Sequence, residues 1–204
     1  MTAILPSDHF ILPGYRFMQA IAMAASFVES HNLDVPILLA VKPDRAESEY
    51  GWIEPGELVE QRGPWGIRQI NCFVEKPPAD LAKRLLRGGW LWNTMAIVVR
   101  AQSLLSQSLR CVPQLAGWFT ILQRQLGGPR EQDVIEAMYQ VIPKVNFSTS
   151  VLANPWTRPL ALVVHDVFWS DWGTKERILS SAAAFGLRTS PPIRTPHHSL
   201  TTAA

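Results

Sequence analysis

Four places in this 204-residue chain carry side chains suited to work on a phosphate. Asp8 follows an apolar run at residues 2–6. Glu75 and Lys76 close the run Phe73-Val-Glu-Lys-Pro77. Asn93 sits in Leu91-Trp-Asn-Thr94, just ahead of another apolar run. Asp171 lies in Trp169-Ser-Asp-Trp-Gly-Thr174, after the last one. Mg²⁺ favours one or two carboxylates together with phosphate oxygens and water, which Asp8 and Asp171 could provide. Lysine is a compact point charge for a phosphate, and an asparagine amide can both give to and take from a sugar hydroxyl. In-line displacement at phosphorus asks mainly for positioning and charge neutralisation. Each residue also has a structural explanation. Asp8 could make an Asx-turn, Lys76 could be a solvated lysine, Asn93 could bond a loop backbone, and Asp171 could start a helix. A cation at Lys76 is unfavourable so near a helix N-terminus, which points to an anion there.

For these groups to act together, the elements between them must bring them to one rim. Residues 2–6 are expected as a strand, and a helix from Tyr15 to Ser30 follows the breaker Pro13-Gly14. Val35 to Val41 is apolar throughout, as in a strand covered on both faces. Tyr50 to Glu54 is expected as a short strand stopped by Pro55-Gly56, with a loop over Gln61–Trp65. Ile67–Val74 and Met95–Val99 are expected strands. A helix runs from Ala79 to Gly88-Gly89, with Pro77-Pro78 ahead of it. Ala101–Leu109 and most of 114–140 are expected to be helical, Leu160–Val164 a late strand, and Thr174 the N-cap of a helix to Phe185. The alternation predicts an α/β fold with a mainly parallel sheet flanked by helices. Ligands of such sheets sit at the carboxyl ends of the strands.

The composition sets outer limits. With 47% hydrophobic residues the chain can bury a core, and a net charge of +2 without a basic cluster gives no nucleic-acid footprint. Two cysteines, Cys72 and Cys111, do not make a disulfide framework and are expected as buried reduced thiols. The longest apolar stretch, Phe17 to Val28, is too short to span a bilayer, and the opening residues lack the basic region of a signal peptide. A cytoplasmic protein with no membrane partner is expected. The tail 189–204, with its prolines and the pair His197-His198, is expected to be disordered.

Six motifs occur together in order: Leu5-Pro-Ser-Asp-His9, Tyr50-Gly-Trp-Ile-Glu-Pro-Gly56, Phe73-Val-Glu-Lys-Pro77, Leu91-Trp-Asn-Thr94, Ile142-Pro-Lys-Val-Asn-Phe-Ser148 and Trp169-Ser-Asp-Trp-Gly-Thr174. In that order the chain resembles the sugar-phosphate nucleotidyltransferases of the mannose-1-phosphate guanylyltransferase type. The resemblance covers about residues 3–185 and implies one domain over 1–188, a partial Rossmann-like nucleotide-diphospho-sugar transferase fold. It implies Asp8 and Asp171 as the aspartates that hold Mg²⁺, and Gly51 as the glycine whose backbone approaches the sugar. Glu75 then resembles the acceptor for a sugar hydroxyl, Lys76 the lysine on the sugar 1-phosphate, and Asn93 a further sugar contact. The catalytic set implied is Lys76, Asp8 and Asp171. The reaction implied joins a sugar 1-phosphate, mannose 1-phosphate, to a nucleoside triphosphate, GTP, and releases pyrophosphate.

Against that pattern, the chain lacks the opening strand and the glycine-rich nucleotide loop, the first βα units of the family. Two expectations follow. Either another polypeptide or a segment upstream of Met1 completes the nucleotide half, or the chain is an inactive remnant or regulatory module that still binds a sugar phosphate. The strand at Leu5-Pro6 should present an open apolar edge, which favours a homo-oligomer or a complementing N-terminal chain. Ser148-Thr149-Ser150 stands where relatives often carry an acidic residue, and Met95-Ala96 replaces small or aromatic residues.

Overall fold

The structure, a computed structural model, describes residues 1–187. Residue 188, the tail 189–204 and its histidine pair lie outside the described residues. The chain forms β1 (Thr2–Ile4), β2 (Phe10–Leu12), α1 (Gly14–Ser30), β3 (Ile37–Val41), β4 (Gly51–Arg62), β5 (Trp65–Glu75), α2 (Ala79–Arg87), β6 (Leu91–Val99) and α3 (Ala101–Cys111). After these come α4 (Ala116–Gln123), α5 (Glu131–Val141), a π-turn over Ser148–Leu152, β7 (Leu160–Val164), β8 (Phe168–Ser170) and α6 (Lys175–Phe185).

The six-stranded sheet has the order β1-β6-β3-β7-β5-β4, and β4 also pairs with β6. The α/β class holds, but the pairing departs from the expected mainly parallel sheet. Only β3–β7 is parallel; β1–β6, β3–β6, β4–β5, β4–β6 and β5–β7 are antiparallel. Three of these antiparallel pairings trace to residues 51–75. Pro55-Gly56 does not end the strand: β4 continues through it, with register shifts between Glu54 and Pro55, Pro55 and Leu58, and Leu58 and Glu60. A bulge is one of the few places where a strand tolerates proline. The chain reverses at Gly63, whose φ of +58° suits glycine. Fragments read as two short strands and a loop are therefore one long hairpin, and a hairpin is antiparallel by construction. The bulges bend this hairpin. Its open end lies against β6 and its closed end against β7.

Alternate residues of β3, β6 and β7 go to opposite faces. Ile37, Leu39, Val41, Ala96, Val98, Leu162 and Val164 pack under α1, against Phe17, Ala20, Ala24, Phe27 and Val28. Leu38, Ala40, Ile97, Val99, Ala161 and Val163 form the other core with Leu152. A full side chain of this kind contributes about 1.5–3 kcal/mol on burial. The α1 residues recur at three- and four-residue spacing, the apolar stripe of a helix laid on a sheet. β1 has β6 on one side and no strand on the other among the described residues, and Ile4 and Leu5 are exposed there. The strand expected over residues 2–6, read as buried, is shorter and partly exposed, and Leu5-Pro6 lie beyond it. Cys72 is exposed and Cys111 half-buried, so the expected burial of the thiols does not hold, though both are free. Cys72 lies on β5, the second strand of the hairpin, and the sequence pattern there gave no sign of its outward direction. No described helix is long and apolar enough to cross a membrane.

Candidate functional site

Three of the expected residues meet through backbone register. Gly51 opens β4 between two partners, opposite Glu75 of β5 and Asn93 of β6. A Cβ on Gly51 would lie 2.9 Å from Glu75 Oε2, 3.1 Å from Phe73 Cζ and 3.5 Å from Asn93 Cβ. Glycine lets the Glu75 carboxylate and the Phe73 ring close over this position, while the Asn93 distance is ordinary contact. β6 begins at Leu91, earlier than Met95, so Asn93 lies inside the strand and is buried. The expectation placed it just before a strand.

Glu75 is half-buried. Burial pushes its pKa up, and the Lys76 charge and a hydrogen bond from Ser148 oppose that shift. Ser148 thus stands in the place of an acidic residue, its one hydroxyl proton shared between Glu75 and the Met95 thioether. Lys76 has a positive φ of 45°, and its backbone N–H donates to the Tyr50 carbonyl at 3.2 Å. Its Nζ lies 3.8 Å from Glu49 Oε2, with the side chain 59% exposed. A non-glycine residue held in this region is strained, and such strain concentrates at functional sites. Met95 is the second case here, with φ of +56°. Asn93 Nδ2 donates to Met95 Sδ at 3.0 Å, the Met95 N–H donates to Asn93 Oδ1 at 3.1 Å, and Ser148 Oγ donates to Met95 Sδ at 3.5 Å. The thioether therefore lies on the polar groups of both neighbours.

The two aspartates reach one rim by a different route. β2 and β8 form a two-stranded ribbon in which Phe10 faces Ser170. Asp8 lies two residues before Phe10 and Asp171 one residue after Ser170, so both sit at the same end of the ribbon. His9, between them, feels both carboxylates. Burial lowers its pKa, and the charges of Asp8 and Asp171 work the other way. Trp169 Nε1 donates to His9 Nδ1 at 3.2 Å, which fixes the neutral ring with its proton on Nε2. Neither β2 nor β8 was expected, because three-residue strands leave almost no pattern to read.

Tyr50 joins the two halves. Its carbonyl holds Lys76, and its hydroxyl donates to Asp171 Oδ1 at 3.0 Å. The ring is buried, edge-on to Trp92 and Trp169. Burial first, then the Asp171 charge, pushes the phenol up to about 12. Arg177 completes the group. Its Nη1 donates to Asp171 Oδ1 at 3.0 Å and Oδ2 at 2.8 Å, Nη2 lies 3.2 Å from Glu47 Oε2, and its guanidinium lies 4.7 Å from the centre of the Tyr50 ring. Burial works against this charge, but Tyr50, Asp171 and Glu47 together raise its pKa. Sequence reasoning missed Tyr50, Met95 and Arg177. The available signal for Arg177 was a cation in the first turn of α6, where the helix dipole disfavours it unless an anion is close.

As placed, the aspartates do not fit Mg²⁺. Asp8 is open, 67% exposed, with only His9 Nε2 at 4.0 Å. Asp171 Oδ1 already accepts from Tyr50, Arg177 and the Gly173 N–H.

A family model described as nucleotidyl transferase matches residues 1–186. A Vibrio cholerae protein whose name includes mannose-1-phosphate guanylyltransferase is 32% identical over 173 residues, 84% of this chain and 35% of that protein. The mannose-1-phosphate guanylyltransferase of Sinorhizobium fredii is 24% identical over 179 residues, 86% of this chain and 33% of that one. A crystal structure of mannose-1-phosphate geranyltransferase from Thermus thermophilus shares the fold, with a TM-score of 0.66 and 24% identity over 83% of this chain and 45% of that chain. The chain spans about a third of the length of the curated relatives it matches.

Proposed function

The chain belongs to the nucleotidyl transferase family, and on that premise we propose that the rim formed by Gly51, Glu75, Lys76 and Asn93 binds a sugar 1-phosphate for transfer to a nucleoside triphosphate. Mannose 1-phosphate and GTP are the substrates proposed, after the names of the relatives. The observation that carries the proposal is the meeting of Gly51, Glu75 and Asn93 across three paired strands. A carboxylate beside an amide, with no Cβ between them, can hold vicinal hydroxyls as acceptor and donor. Lys76 directly follows Glu75 and supplies the charge for the phosphate. The rim binds and orients; the attacking group is a phosphate oxygen of the sugar phosphate itself, so no side chain has to act as nucleophile. Positioning and charge are then what the protein contributes.

Calorimetry with mannose 1-phosphate tests this. Lys76→Ala should weaken binding at least about tenfold, the scale of a lost charge-assisted contact. Equal affinity in the two proteins would remove Lys76 from the proposed role. A second reading, a sugar-phosphate-binding module without turnover, is favoured by the closure of Asp171 by Arg177. Pyrophosphate release from GTP and mannose 1-phosphate separates the two: release supports the transferase, and binding without release supports the module.

A further inference from the structure

We propose that Arg177 closes Asp171 to a divalent ion by taking both of its carboxylate oxygens, so that the chain binds its ligand with no metal on Asp171. The inference rests on the reading of this site as one that binds a sugar phosphate.

The guanidinium is built in rather than loosely draped. A single nitrogen, Nη1, reaches both oxygens of Asp171. Nη2 takes a second carboxylate, Glu47, at 3.2 Å. The Tyr50 ring lies under the guanidinium carbon. The base of the side chain is fixed as well, since the Arg177 N–H donates to the N-cap hydroxyl Thr174 Oγ1 at 3.3 Å. The side chain is only 14% exposed. Gly173 makes room for the pairing. A Cβ there would lie 3.0 Å from Asp171 Oδ2 and 3.4 Å from Arg177 Nη1.

This arrangement and a metal at Asp171 exclude one another. Mg²⁺ binds carboxylate oxygen at about 2.0–2.1 Å and keeps several waters around it. With Nη1 within 3.0 Å of both Asp171 oxygens, the ion would meet a like charge where its water should be. Asp171 Oδ1 also receives the Tyr50 hydroxyl and the Gly173 N–H. Moving Arg177 aside would free Asp171 and leave Glu47 to Arg45 alone, whose Nε lies 3.5 Å from Glu47 Oε2. A paired, mostly buried carboxylate is costly to leave alone. Arg177 is taken up by Asp171 and Glu47, Glu47 is shared with Arg45, and Asp8 remains the open acid of the rim.

Mn²⁺ alone, followed by electron paramagnetic resonance on the full chain, is the test. The wild type and Asp171→Asn should bind Mn²⁺ alike. Arg177→Met keeps the aliphatic packing against Tyr50 and removes the charge. It should gain affinity for Mn²⁺ by at least about tenfold, and Arg177→Met/Asp171→Asn should lose that gain. Mn²⁺ bound by the wild type and weakened about tenfold by Asp171→Asn overturns the proposal. An Arg177→Met protein that folds and gains nothing overturns it too. If Arg177→Met does not fold, the comparison of wild type with Asp171→Asn still decides. Calorimetry with mannose 1-phosphate in Mg²⁺ and in EDTA separates this inference from the function it rests on. Equal binding in both supports it, and binding lost in EDTA overturns it. No binding in either removes the sugar-phosphate reading, and the Mn²⁺ result then decides about Arg177 by itself.

Discussion

The hydroxyl of Tyr50 donates to Oδ1 of Asp171 at 3.0 Å, across 121 positions of sequence. Through the same residue's carbonyl, Lys76 is tied to the start of β4. One side chain and its backbone thus hold the lysine of one motif and the aspartate of another at a common rim. Tyr50→Phe should cost about 1.5–3 kcal/mol, the range for a hydrogen bond to a charged group. Chemical denaturation measures this. The phenol ordinarily ionises near 10.0 and is here pushed up to about 12. It therefore ionises first in the unfolded chain, and stability is lost as pH rises between those values. An ultraviolet alkaline titration should show a late phenol in the wild type that is missing from Tyr50→Phe.

Glu75 sets binding against stability. Its pKa is raised by burial above 4.5, so the unfolded chain gives up the proton first. Stability is lost as pH rises from that value through the folded pKa, and the cost persists at neutral pH. Glu75→Gln should therefore raise the melting temperature at pH 7, the gain shrinking as pH falls towards 4. Its affinity for mannose 1-phosphate should fall. A melting temperature raised equally at both pH values would mean that the charge is not the source.

Met95 adopts a left-handed backbone and places its sulfur on Asn93 and Ser148. Met95→Gly relieves strain of about 1–3 kcal/mol and loses a partly buried side chain of similar worth. The net change in stability should be small. Freeing the Asn93 amide, worth about 0.5–1.5 kcal/mol per hydrogen bond, should tighten mannose 1-phosphate binding roughly two- to tenfold. Calorimetry reads this directly, and weaker binding would make Met95 part of the ligand's support.

Gly51→Ala adds a Cβ 3.1 Å from the ring of Phe73 and 2.9 Å from Glu75 Oε2. The carboxylate can swing away, but the ring is packed in the core. Overpacking of this kind costs about 1–3 kcal/mol. Denaturation should show that loss, and sugar-phosphate binding should fall with it because the displaced group is Glu75.

The chain's local signals located most of the elements. The unbroken apolar run at β3 marked a strand covered on both faces, and Ile37–Val41 is buried at every position. Thr174 marked the start of α6, where its hydroxyl caps Arg177 N, and Gly186 ends the helix at φ of +63°. Pro77-Pro78 and Gly88-Gly89 bracketed α2. Gly51, Glu75 and Asn93 were legible as a set only through the resemblance, and the register then showed them adjacent.

What the sequence determined by itself is whatever depends on neighbours a few residues apart: apolar periodicity, caps, breakers and the order of the motifs. The tertiary structure decided the rest. It carried β4 through Pro55-Gly56, because β5 and β6 supply partners that outweigh the local preference for a turn. It made the sheet mostly antiparallel, since strand direction is set by pairing between distant segments and not by the residues of either. It closed Asp171 with Arg177, Tyr50 and, through Arg177, Glu47, charges that share one rim only once the chain has folded. Electrostatic attraction acts through distance in space, and a linear sequence does not record that distance.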